Sequence, residues 1–168
     1  SKLAEKLGIS RPKLMEILDV LEKTETVIRI YPRGGHYSQI NKPSKYLFSC
    51  PAFRSMYYNL IGSSKNREDG MGKLLEDAVG MYLTRYLKNK PNTSINYDSS
   101  EGGADFIASI GDESILIEVG RGEKGFKQIS KTAEKVKAKY GLVIAKDSLL
   151  YSDKDNSVRI PIEYFLLM

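Results

Sequence analysis

Ala104-Asp-Phe-Ile-Ala-Ser-Ile-Gly-Asp-Glu-Ser-Ile-Leu-Ile-Glu-Val119 is the stretch that decides how this chain is read. Two apolar, β-prone runs flank Gly111-Asp112, a two-residue hairpin signal, because glycine supplies the positive φ that tight primed turns need. If Ile110 pairs with Glu113, counting back along both strands brings Asp105 opposite Glu118. A slip of one residue would send the two acids to opposite faces. Like charges directly opposite each other destabilise a sheet, so a cation is expected beside them. A divalent ion held by oxygen ligands would serve.

The bulk properties set limits on what surrounds this hairpin. The chain has 168 residues, enough for one or two domains with a real core, and begins Ser-Lys-Leu, as an internal piece of a longer protein would. No run is apolar enough to cross a membrane and no secretory pattern is present, so a soluble, cytoplasmic protein is expected. A single cysteine, Cys50, rules out an internal disulfide framework, and with the single histidine, His36, rules out a Cys/His zinc cluster. His36 is expected at the surface, and Cys50 has no thiol-activating setting. The net charge of +5 is uneven: residues 1–61 hold ten Lys/Arg against five Asp/Glu, while residues 62–168 hold sixteen of each. That asymmetry suggests a nucleic-acid-contacting part joined to a neutral one.

Upstream, Leu3–Ser10 followed by Arg11–Leu21 reads as helix, tight turn, helix. Gly8 can end the first helix in the left-handed region, Ser10 is a good N-cap and Pro12 suits the first turn. Leu14, Ile17, Leu18 and Leu21 recur at helical spacing and are expected to bury one face. Val27–Tyr31 and His36–Ile40 read as strands around the turn Pro32-Arg-Gly-Gly35. This pattern resembles a winged helix-turn-helix lacking its first helix, which implies DNA contacts from Arg11 and Lys13 at the start of the recognition helix and from Arg33 at the wing tip. A short strand and a helix within 41–61 complete the first domain, 1–61. Gly62–Gly70 is polar and glycine-flanked, so 62–71 reads as a linker.

Residues 72–168 form the second domain. A helix over 72–88 buries Leu74, Leu75, Ala78, Val79, Tyr82 and Tyr86, with Glu76 at the edge of that face. A strand near Ser94–Tyr97 precedes the hairpin. A helix over 126–139 carries Phe126, Ile129, Ala133, Val136 and Tyr140 on one side and a stripe of Lys127, Lys131 and Lys135 on the other, expected to track DNA phosphates. Gly141–Ala145 suits a buried parallel strand, and Ser157–Ile162 adds a last one. The class is α/β (α+β): a truncated winged helix-turn-helix plus an α-β-β-β-α-β core.

That order, with Glu76 on the first helix, Asp105 on one strand and Glu118 on the next, resembles the restriction-endonuclease-like, or PD-(D/E)xK, nuclease superfamily. The resemblance implies Mg²⁺ held by Asp105, Glu118 and Glu76, and a lysine two residues after the second carboxylate to assist the attacking water. Here the motif reads Glu118-Val119-Gly120, so glycine stands where lysine belongs. Lys124 or Lys127, on the way into the following helix, are the candidates for a displaced or vestigial catalytic lysine. Over nearly the whole chain, the order of Leu3–Ser10, Lys42-Pro-Ser-Lys45, Leu74–Val79, Gly103–Ile107, Ile117–Val119 and Ile160–Phe165 is similar to the C-terminal half of archaeal and bacterial AAA+-type ATPases. That implies a P-loop ATPase module in the same protein, outside these residues, which would hold any ATP.

Gly120-Arg-Gly-Glu-Lys-Gly125 is also a formal GxGxxG between a strand and a helix, with Asp147 further on. It is outweighed: Glu118 would face the pyrophosphate, and too few residues follow for a doubly wound sheet. Two readings remain. One is a DNA-binding and regulatory region whose nuclease-like domain is inactive for want of the lysine. The other is a Mg²⁺-dependent DNA endonuclease with a displaced lysine. The first is preferred because of Gly120.

Overall fold

The hairpin register is the one read from the sequence. In the computed structural model, β4 (Phe106–Ile110) and β5 (Glu113–Val119) run antiparallel with Ile110 opposite Glu113 and Phe106 opposite Ile117. Gly111 makes the turn at φ +59°. The structure describes residues 2–60, 64–122, 125–145 and 148–167, with the backbone alone over 64–69.

In chain order the elements before this hairpin are α1 (Lys2–Lys6), α2 (Arg11–Lys23), β1 (Val27–Pro32), α3 (His36–Asn41), β2 (Lys45–Phe48), α4 (Pro51–Leu60), α5 (Ser64–Leu87) and β3 (Thr93–Tyr97). After it come α6 (Lys127–Val136), β6 (Tyr140–Ala145), β7 (Leu150–Ser152), β8 (Ser157–Pro161) and α7 (Ile162–Leu166). The described strands form one mixed sheet in the order β2-β1-β3-β4-β5-β6-β8-β7. β6 is parallel to both β5 and β8, as its continuous apolar run predicts. From α5 to β6 the order is helix, three strands, helix, strand.

Strand alternation divides the core between the two faces. On one face Phe106, Ala108, Ile117 and Val119 pack with Val79, Leu83 and Leu87 of α5 and Phe165 of α7. On the other, Ile107, Leu116 and Val143 pack with Ile129 of α6. Glycines permit close approach in two places. A Cβ on Gly80 of α5 would meet Leu47 of β2 at 2.4 Å, and one on Gly141 would meet Ser157 at 2.3 Å. Among the described residues no helix is long and apolar enough to cross a membrane.

The helix-turn-helix forms as read. Gly8 turns at φ +63° and the Ser10 hydroxyl accepts from the Lys13 amide at 3.3 Å. Leu14 is buried, but Ile17 is largely exposed and does not join the face expected of it. Three further expectations are corrected. His36–Ile40 is not a strand but the short helix α3, with Tyr37 81% and Ile40 61% exposed. β1 takes β2 as its antiparallel partner instead, because Leu47 offers it a buried side chain that α3 cannot. Of the linker read at 62–71, residues 62 and 63 lie outside the described residues and 64–71 belong to α5. Gly70 serves packing there, since a Cβ would meet the Tyr58 ring of α4 at 2.3 Å. Finally, α6 ends at Val136, where Lys137 adopts a left-handed conformation, so Tyr140 begins β6 and is exposed.

Candidate functional site

Asp105 is the residue immediately before β4, where the ladder ends, so its carboxylate can leave the pleat. One oxygen, Oδ2, accepts from the Val119 amide of β5 at 3.1 Å. The other, Oδ1, lies 3.0 Å from Lys45 Nζ of β2, which also donates to the Asp105 carbonyl at 3.2 Å. Lys45 Nζ is 3.2 Å from Glu76 Oε2 of α5, and Lys73 Nζ is 2.6 Å from Glu76 Oε1. The site is therefore a chain of alternating charge, Asp105–Lys45–Glu76–Lys73, built from the residue before β4, from β2 and from α5, with its first three members largely buried and Lys73 exposed.

Lys45 is held from several sides. Its ammonium lies 5.1 Å from the Phe106 ring centroid and 5.7 Å from that of Tyr97, within cation–π range. Burial opposes its charge, but the field of Asp105, then of Glu76, outweighs that and raises its pKa above the ordinary 10.5. Asp105 thus finds a cation in the chain itself, an ammonium that it shares with Glu76.

Glu118 is 1% exposed. Because Ile117 and Val119 face α5 and Leu116 faces α6, strand alternation puts Glu118 on the α6 face. The carboxylates acting on Lys45 are Asp105 and Glu76. Among the described residues no group of three or more His, Cys, Asp or Glu side chains is arranged to hold a metal ion. Asp105 spends both oxygens on Lys45 and the Val119 amide, whereas Glu76 Oε2 is buried 3.2 Å from Lys45 Nζ without a hydrogen bond.

The other residues singled out from the sequence are scattered. Lys124, and Asp147 of the GxGxxG reading, lie outside the described residues. Lys127 is exposed at the start of α6. Lys131 and Lys135 bind the loop after β3: Lys131 Nζ donates to the Glu101 carbonyl, and Lys135 Nζ reaches Asp98 Oδ2 at 3.3 Å. Arg11 and Lys13 are exposed at the start of α2, with Lys13 3.0 Å from Glu16. Arg33 is not on a hairpin tip. Its backbone amide donates to Tyr97 and its Nη1 to the Ser109 hydroxyl at 2.8 Å, tying it to β3 and β4.

Sequence reasoning missed two anchors. Lys45 was legible only as part of a motif, although a lysine opening the apolar strand Lys45-Tyr-Leu-Phe48 signals a buried partner. Asp77 is fully buried, accepts from Arg54 Nε and Nη2 and from the Phe48 amide at 3.0 Å, and so joins α4, α5 and β2. An aspartate within the apolar face of a long helix is the signal that could have found it.

No family model matches the chain, and no solved structure matches it. It is 36% identical, over 167 residues and 99% of its length, to an uncharacterized protein of Methanocaldococcus jannaschii. It spans 34% of that protein, about a third of the relative it resembles.

Proposed function

We propose that this chain is a DNA-binding and regulatory region of a larger P-loop ATPase, in which a nuclease-like domain beside a truncated winged helix-turn-helix is kept for binding and does not cut. The observation that carries this reading is Lys45 Nζ lodged between Asp105 and Glu76 at 3.0 and 3.2 Å. An ammonium there neutralises the acids that a phosphodiesterase would need free for a metal. The helix, three-strand, helix, strand order from α5 to β6 agrees with the nuclease-like assignment. The surplus of basic residues in 1–61 agrees with binding to a polyanion.

One observation favours a second reading, a DNA endonuclease with a displaced lysine. Lys45 touches the motif aspartate, and would stand in for the side chain that Gly120 lacks. The experiment that separates the two is incubation with plasmid and branched DNA in Mg²⁺ or Mn²⁺, beside an Asp105→Ala/Glu118→Ala double variant, with binding followed in parallel. The expected result is salt-sensitive retention of DNA without nicking by either protein. Cutting that disappears in the double variant would establish the nuclease and end the first reading. No DNA retention at low salt would remove DNA as the partner.

A further inference from the structure

β1 and β3 are neighbouring parallel strands, yet their ladder consists of Tyr31–Asn96 and Pro32–Tyr97 alone. Before those pairs the strands part. Val27–Ile30 and Thr93–Ile95 line the two sides of a cleft of about 580 Å³, bounded by Thr84, Arg85 and Lys88 of α5 and by Glu22 of α2. Each segment is paired only on its far side, Val27–Ile30 with β2 and Thr93–Ile95 with β4. Backbone donors and acceptors that would otherwise complete the ladder therefore face the cleft.

The size of the opening suits a short strand. A rise of about 3.3 Å, a strand spacing of about 4.8 Å and a layer separation of about 10 Å give about 160 Å³ per strand residue. The cleft then holds about three to four residues, which is the length over which β1 and β3 are parted. Its charge is mostly positive, with Arg29, Arg85, Lys88 and Lys90 against Glu22 and Glu25. Lys88 is 3.0 Å from Glu25, and Arg29 is 3.9 Å from Glu22. Arg85 is exposed and makes no ion pair among the described residues. The Thr84 hydroxyl, also in the lining, is buried without a hydrogen-bond partner.

We propose that this cleft receives an extended acidic peptide segment of a partner protein, by strand addition, with Arg85 holding one of its carboxylates. Strand edges offer donors and acceptors in alternation, which a peptide backbone matches. A phosphate chain offers acceptors alone and would leave the edge carbonyls unmet, so the geometry favours peptide over nucleic acid here. This site is separate from the Lys45 cluster and stands whether or not that cluster is silent.

The test uses the full chain and a fluorescein-labelled Glu-Val-Glu-Val-Glu peptide, with Lys-Val-Lys-Val-Lys and Glu-Pro-Glu-Pro-Glu as controls. Amide NMR of the protein is recorded alongside. Saturable binding of the acidic peptide is expected, with shifts at Val27–Ile30 and Thr93–Ile95. The lysine and proline peptides should each bind about tenfold more weakly or worse, as should the acidic peptide to Arg85→Glu, an exposed substitution that leaves the core alone. The proposal is overturned by no saturable binding at millimolar protein, by equal binding of the proline peptide, or by shifts confined to other surfaces. Displacement of the peptide by duplex DNA acting on the same amides would overturn it too, in favour of a nucleic-acid site.

Discussion

Lys45 shows how one side chain can redirect a site. Its own exposure is 18% and that of Asp105 19%, so the pair is screened far less than a surface ion pair but is not sealed from water. Lys45→Met removes the ammonium that Asp105 and Glu76 share, leaving Glu76 with Lys73 alone and Asp105 with the Val119 amide. The expected loss is about 2–3 kcal/mol, below that for a fully buried pair, and Lys45→Arg should recover part of it. The pH dependence follows from the raised pKa. The contribution of Lys45 is complete below its ordinary value of 10.5 and fades as pH climbs through the higher folded value. Urea midpoints of wild type and Lys45→Met should therefore differ by a constant amount from neutral pH up to 10.5 and converge above it; a gap that stayed constant at higher pH would remove the electrostatic account. The sequence shows that Asp105 needs a cation beside it, but nothing local to β4 and β5 reports a lysine sixty residues upstream.

At the scale of elements, α6 is stapled to the loop that leads into β4. Thr132, fully buried, donates to Asp98 Oδ2 at 3.0 Å and accepts from the Ala104 amide at 3.0 Å. Thr132→Val keeps the shape and strands that amide, so a loss of about 1–3 kcal/mol is expected in denaturant unfolding. A variant as stable as wild type would mean that water replaces the hydroxyl. Burial opposes the charge on Asp98, but bonds from Ser100, Thr132 and Lys135 outweigh it and hold its pKa below 3.8. Its stabilisation is therefore complete above pH 3.8 and is lost as pH falls through the lowered value. The stability advantage over Asp98→Asn should vanish in acid and persist at neutral pH; an advantage that grew on acidification would reverse the sign of this argument. The lysines expected to track phosphates are partly spent on this staple, since Lys131 and Lys135 both bind the 98–101 loop. Their spacing along α6 was plain in the sequence, whereas the loop they reach came from folding.

Across the whole molecule, the first sixty residues are joined to the rest by several contacts, among them the short β1–β3 ladder, the buried Asp77–Arg54 pair and the Lys45–Asp105 pair. Hydrogen exchange should accordingly be slowest in β4, β5 and β6, flanked by strands and covered on both faces, and faster in β1 and β2. Asp77→Ala should speed exchange in β2 and α4 while leaving β5 nearly unchanged; equal acceleration everywhere would make the chain a single cooperative unit. Much of this architecture was determined by sequence alone. The helix-turn-helix with its Ser10 cap, the hairpin at Gly111 and its register, and the parallel β6 all rest on periodicity and turn chemistry, which act over a few residues. Tertiary structure decided the rest. Whether 36–40 became strand or helix depended on which segment could offer β1 a buried partner, and β2 did. Which ion answers the acids, and the parting of β1 from β3, depended on contacts between segments distant in sequence. Such contacts are set by packing and burial of the assembled chain, and no local pattern encodes them.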